Sequence, residues 1–176
     1  MPGRVTIGLF NSYDPVKFRE AHRRVLARAG PLALAFDCNL ATFGFPYDME
    51  LSTPVEIAKW VSTTTTIGES GGYLVELSEK GRFSCFDFPK KGFPPQMGEV
   101  IITTRKPQPA NAASTAQVRS MVASGKSALL VFGLGPHGLP KDVFNMARMH
   151  MDITGRGLSL ETCTALGAVI GSLLGR

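Results

Sequence analysis

The stretch Ala128-Leu129-Leu130-Val131-Phe132-Gly133-Leu134-Gly135-Pro136-His137-Gly138-Leu139 decides how this chain folds. From Ser127 to Phe132 it is apolar without alternation, as expected of a strand buried on both faces of a parallel sheet. Glycines at 133, 135 and 138 then permit positive φ angles and close backbone approach, which a ligand or a tight crossing requires. Beyond them, Pro140 opens a helix to about His150, Met151-Asp152-Ile153-Thr154 reads as a short strand, and Gly155-Arg156-Gly157 turns into a closing helix over Ser159 to Leu174. Upstream, Glu99 to Thr104 is a strand that runs out into Arg105-Lys106-Pro107. The helix that follows, from about Ser114 to Ala123, puts Val118, Met121 and Val122 on its buried side. Alternation at this spacing predicts an α/β fold, a mostly parallel sheet with helices on both faces. Such sheets bind ligands beyond the carboxyl ends of their strands, where the loops 103–107, 133–138 and 153–158 fall.

Nearer the start, Val5 to Phe10 is a strand, and Asp14-Pro15 reads as N-cap and first residue of a helix. Phe18, Ala21, Val25 and Ala29 give that helix an apolar face, and Gly30-Pro31 is expected to stop it. Leu32 to Phe36 reads as a second buried strand, and a helix runs from about Ser52-Thr53-Pro54 to Trp60. Thr63 to Thr66 is β-prone, with Gly71-Gly72 as its break. Tyr73 to Leu77 and Arg82 to Phe88 flank Ser78-Glu79-Lys80-Gly81 as a hairpin would, so residues 1–176 read as one domain with an insert or hairpin at about 68–98.

Composition sets outer limits. With 176 residues, 44% apolar and 19% charged, the chain is not of a disordered class. Nineteen basic against 14 acidic residues leave a net charge of +5, compatible with nucleic acid without demanding it. The cysteines Cys38, Cys85 and Cys163 are odd in number and far apart, which reads as reduced thiols in a cytoplasmic protein. With His22, His137 and His150 they form no metal-ligand spacing, so no metal is expected. The longest apolar run, Ala165 to Gly175, is about half a membrane span, so Gly167 and Gly171 signify close helix packing.

The Gly-x-Gly-x-x-Gly spacing at 133, 135 and 138 formally fits a dinucleotide fingerprint, which needs an acidic residue at the end of the next strand. Asp152 is expected at the start of a strand, which argues against that reading. The segment Val131-Phe132-Gly133 … Gly138-Leu139, then Asp152-Ile153-Thr154 and Leu158-Ser159-Leu160-Glu161-Thr162-Cys163-Thr164-Ala165-Leu166-Gly167, resembles instead the C-terminal half of SPOUT-superfamily RNA methyltransferases, closest to the branch that methylates ribose 2′-hydroxyls. Val100 to Arg105 resembles the strand whose end contacts the methyl donor there, and Asp14-Pro15 with Arg23-Arg24 and Gly30 extends the likeness loosely to the first third. The chain also looks like a member of a small archaeal family within that superfamily.

That resemblance implies a C-terminal trefoil knot, an exception to the unknotted topologies of most folds, whose loops hold S-adenosylmethionine. By it Thr103, Thr104, Gly133, Leu134, Gly135, Ile153, Leu158 and Leu160 are the cofactor residues, and the closing helix is a homodimer interface. It also implies an activating arginine near the chain start: Arg23 and Arg24 each match one spacing, and both equally suit a solvated helix face. Two positions depart from the ribose-methylating pattern, Gly135 where a Glu is usual and Glu161 where an Asn is usual. Glu161 is either a base or a stabiliser of its helix N-terminus. Lys90, Lys91, Arg105 and His137 are substrate-binding candidates; cations beside Phe93 suit single-stranded RNA, and a plain charged loop explains them as well. The function implied is S-adenosylmethionine-dependent methylation of RNA, foremost the ribose of tRNA; the alternative is a knotted RNA-binding or scaffold protein without catalysis.

Overall fold

A computed structural model describes residues 1–64 and 70–175. In chain order its elements are β1 (Val5–Asn11), α1 (Glu20–Ala35), β2 (Asn39–Phe43), α2 (Pro54–Thr64), α3 (Ser70–Glu79), β3 (Phe83–Phe86), β4 (Glu99–Thr103), α4 (Thr115–Ala123), β5 (Ala128–Leu134), α5 (Lys141–Asn145), β6 (Met149–Met151) and α6 (Thr162–Leu174). The six strands form one sheet in the order β3-β2-β1-β5-β4-β6, every pair parallel. The order reverses between β1 and β5, so a crevice opens at their carboxyl ends.

The unbroken apolar run of β5 has the cause expected of it. Ala128, Leu130, Phe132 and Leu134 face one layer, Leu129 and Val131 the other, and all six are buried. The first layer carries most of the helices: Val25 and Leu26 of α1, Ile57 and Val61 of α2, Leu74 and Leu77 of α3, Val118 and Val122 of α4, and Val169 and Ile170 of α6 pack there. Opposite, Val143 of α5, Ala147 and Phe93 cover Phe43, Ile102 and Leu129. Helices thus lie on both faces, but very unequally.

Residues 14–98 depart from the sequence reading, each time because tertiary contact overrides a local signal. Asp14 does not cap α1. Its Oδ1 accepts from the N–H groups of Val16 and Lys17, closing a separate turn, and α1 begins at Glu20 with Arg19 before it. Nor does Gly30-Pro31 stop the helix, which runs on to Ala35. Gly30 is there for contact: a Cβ on it would lie 3.1 Å from the backbone nitrogen of Leu74 in α3. Leu32 to Phe36, read as a strand, is the last turn and cap of α1, and the strand is Asn39–Phe43. A run of five apolar residues fits either element, and only its neighbours decide. Among the described residues of 68–98 no hairpin forms. Gly71 and Gly72 sit inside α3, Tyr73 to Leu77 is helical with Leu74 and Leu77 fully buried, and β3 pairs parallel to β2. Thr63 and Thr64 end α2, and Thr65 and Thr66 lie outside the described residues.

In the second half the elements hold and the bounds shift. The helix after Pro140 is the short α5, with His150 already in β6; α6 starts at Thr162 rather than Ser159. Asp152 therefore follows β6 rather than opening it, which removes the argument first raised against a dinucleotide fingerprint. Its carboxylate is nonetheless spent locally, on Thr154 and Gly157, and β5 is not the first strand of its unit.

Candidate functional site

At the exit of β5, three carbonyl groups are met by hydroxyls from three different segments. Thr103 Oγ1 at the end of β4 donates to the Val131 carbonyl at 3.0 Å, Thr162 Oγ1 at the start of α6 to Gly133 at 2.9 Å, and Ser12 Oγ after β1 to Leu134 at 3.0 Å. Buried carbonyls must be paired, and these bonds do so while drawing three loops around one point.

A cavity of about 780 Å³ lies there. Its wall includes all eight cofactor candidates, Thr103, Thr104, Gly133, Leu134, Gly135, Ile153, Leu158 and Leu160. Glu161, Arg105 and His137 are in the wall as well, together with Asp152 and Lys106. Leu158 and Leu160 are 58% and 37% exposed and give the wall an apolar part. Volume and lining suit a ligand of nucleoside size, one side apolar and the rim polar.

Gly135 has a local reason to be glycine. Its φ is +133°, and a Cβ there would stand 2.7 Å from the Ser12 carbonyl oxygen. The β1–α1 loop occupies the space that a side chain at 135 would need. Glu161 is the N-cap of α6: its Oε2 accepts from the N–H groups of Cys163 at 2.9 Å and Thr164 at 3.2 Å. Of the two roles first considered for it, helix stabilisation is thus visible in the bonds.

Other candidates lie apart. Lys90 and Lys91 sit on the loop after β3 and are not in the wall. Arg23 is not in it either; its guanidinium lies over the rings of Phe18 and Trp60 at 5.2 and 5.3 Å and 3.8 Å from Glu20. Arg24 is exposed, also outside the wall, yet three residues beyond Ala21, which lines the cavity from the same helix face.

Sequence reasoning passed over the residues that brace the β1–α1 loop. Asn11 is buried; its Nδ2 donates to the carbonyls of Asp14 and Gly44 at 2.8 and 2.9 Å, and its Oδ1 accepts from Tyr13 N–H at 3.2 Å. His22 Nδ1 accepts the Arg19 N–H at 2.9 Å, so Nε2 carries the proton and donates to Asn11 Oδ1 at 3.0 Å. Burial pushes the His22 pKa down to about 4, which keeps the ring neutral. The N–H groups of Lys17 and Val16, with the Arg19 guanidinium, hold the Asp14 carboxyl well below the usual range. This bracing sets Tyr13, 47% exposed, on the cavity rim. An Asn closing a strand with a His eleven residues on was the available signal, and its partners are too distant in sequence to pair by spacing.

Among the described residues no cluster of His, Cys, Asp or Glu suits a metal ion, and no helix is long and apolar enough to cross a membrane.

The family described as Protein of unknown function (DUF531) matches residues 5–174. An uncharacterized protein of Methanocaldococcus jannaschii is 42% identical over 166 residues, 94% of this chain and 90% of its own length. Solved structures share the fold at low identity. A probable methyltransferase from Bordetella pertussis superposes with a TM-score of 0.65 at 12% identity, over 97% of this chain and 94% of that one. The SpoU methyltransferase AviRb of Streptomyces viridochromogenes, solved with its cofactor AdoMet, gives 0.57 at 15%, over 99% and 58%. The TrmH/SpoU tRNA modifying enzyme of A. aeolicus gives 0.52 at 15%, over 98% and 76%. The chain therefore has the SPOUT-type α/β fold.

Proposed function

The chain belongs to the DUF531 family, and we propose that it is an S-adenosylmethionine-dependent RNA methyltransferase whose acceptor is a ribose 2′-hydroxyl of tRNA. One observation carries the reading: eight residues picked from three separate segments line one cavity at the reversal point of the sheet. When bound, S-adenosylmethionine supplies an electrophilic methyl group. Ile153, Leu158 and Leu160 offer it an apolar wall, and the glycine loop offers backbone groups at close range. Much of the rate of such a transfer comes from holding donor and acceptor in line.

Arg24 is the better activating arginine, because Arg23 is committed to Phe18, Trp60 and Glu20. Arg105, Lys106 and His137 on the rim meet phosphate, and the exposed ring of Tyr13 offers a face to a base. Lys90 and Lys91 belong to a more remote part of the RNA surface. We further propose that α6 enters the knot and pairs with its copy in a homodimer, since a Cβ at Gly167 or Gly171 would meet nothing within 4 Å.

A second reading, a knotted RNA-binding protein without catalysis, draws on Gly135 and Glu161, both of which serve local structure. Calorimetric titration separates the two. Micromolar binding of S-adenosylmethionine and S-adenosylhomocysteine, lost in Gly133→Trp, leads on to methyl transfer into unmodified tRNA. No binding of either up to millimolar concentration overturns the methyltransferase reading, and tRNA binding that falls steeply with salt then supports the second.

A further inference from the structure

The cavity wall holds two carboxylates, and an account of their oxygens separates them. Asp152 is fully used: Oδ1 accepts from the N–H and hydroxyl of Thr154 at 3.1 and 2.8 Å, and Oδ2 from the Gly157 N–H at 2.7 Å. It fastens the turn between β6 and α6 and has little left for a ligand. Glu161 is used less completely. Oε2 takes two N–H groups of the first α6 turn, the Cys163 thiol also bonds the carboxylate, and Glu161 makes no ion pair with the described residues. Arg28, the cation that approaches from α1, reaches Cys163 instead.

The remaining full charges in the wall are Arg105 and Lys106, both positive. Glu161 is thus the described carboxylate of the wall with a charge not paired to a cation and not spent on its own turn as that of Asp152 is, and the two bonds on Oε2 fix where it sits. Fixed charges of this kind act on a charged ligand without reorganising. From this geometry we infer that Glu161 receives a positive charge of the methyl donor while capping α6 through Oε2. The inference rests on the methyltransferase reading and makes Glu161 a residue that selects the charged ligand, where an Asn would be neutral.

Three probes and one variant test it. S-adenosylmethionine carries a sulfonium and an ammonium, S-adenosylhomocysteine only the ammonium, and 5′-methylthioadenosine neither. Calorimetry on wild type and Glu161→Gln is expected to show S-adenosylmethionine weakened about three- to tenfold, with 5′-methylthioadenosine changed by less than about twofold. Loss for S-adenosylmethionine alone places the sulfonium at Glu161; parallel loss for S-adenosylhomocysteine places the ammonium there; either supports the inference. Equal change for all three probes, or none, overturns it. Glu161→Asp, which keeps both charge and cap, is expected to retain the preference for charged ligands, and thermal unfolding of each variant checks that α6 is intact. Failure of the wild type to bind any probe would instead sink the methyltransferase reading itself.

Discussion

Two loops leave adjacent parallel strands on the cavity side and are held in opposite ways. Residues 12–19 after β1 are held from within: the side chains of Asn11, Asp14 and His22 bond backbone groups of the segment, and further bonds join Arg19 to Asp14 and His22 to Asn11. Residues 135–140 after β5 contain few such bonds and owe their course to Gly135 and Gly138 at positive φ and to hydroxyls that other segments donate to Gly133 and Leu134 just before them. One loop is a finished wall. The other brings bare backbone to the cavity at Gly135 and Gly138, as suits a ligand-binding edge.

The largest effect should come from breaking the internal bracing. Asn11→Ala removes four hydrogen bonds at a buried site and leaves the Gly44 and Asp14 carbonyls, the Tyr13 N–H and His22 Nε2 short of a partner. A cost of about 3–5 kcal/mol in chemical denaturation is expected. A cost below about 1 kcal/mol would mean that the loop after β1 is not held from within. In the other loop, Gly135→Ala puts a Cβ 2.7 Å from the Ser12 carbonyl at φ +133°, and should cost about 2–3 kcal/mol. Because the two loops touch at that point, it should also weaken S-adenosylmethionine binding more than Asn11→Asp does.

The same contrast explains what could be read in advance. Residues 99–175 were legible because their elements are short, carry one role each and are separated by glycine, so local signals and fold agree. Residues 14–98 were not. Gly30-Pro31 looks like a stop until α3 is seen pressing on Gly30, and Tyr73 to Leu77 looks like a strand until its partners prove to be α1 and α2. The cofactor candidates came from the resemblance to SPOUT-superfamily methyltransferases, on loops that their glycines already mark in the sequence. Ser12 and Thr162 matter through contacts 122 and 29 residues away along the chain, and Tyr13 through exposure, which it does not display.

Acid should act first on the loop after β1. The unfolded chain takes up a proton at His22 as pH falls through about 6.5, whereas in the folded chain burial delays this to about 4. Between those values stability should fall by up to about 1.4 kcal/mol per pH unit, and His22 adds no further slope below them. Asp14, held low, contributes only further down, where stability present above its unfolded value of 3.8 is lost as pH drops. Denaturation midpoints from pH 7 to 4 check this, and His22→Gln should flatten the slope in that window whatever its absolute stability.

The smallest effect asked for is the most discriminating. Thr162→Val keeps the shape of the side chain and the Glu161 cap but removes the donor to the Gly133 carbonyl, and should cost about 1 kcal/mol. Ser12→Ala does the same at Leu134. These bonds come from two different segments onto neighbouring carbonyls of one strand exit. If the loop after β5 is positioned as a unit, the double variant should depart from the sum of the singles by more than about 0.5 kcal/mol. Strict additivity would mean that each carbonyl is satisfied separately. The resemblance of this loop to a ligand-binding edge would then rest on its glycines alone.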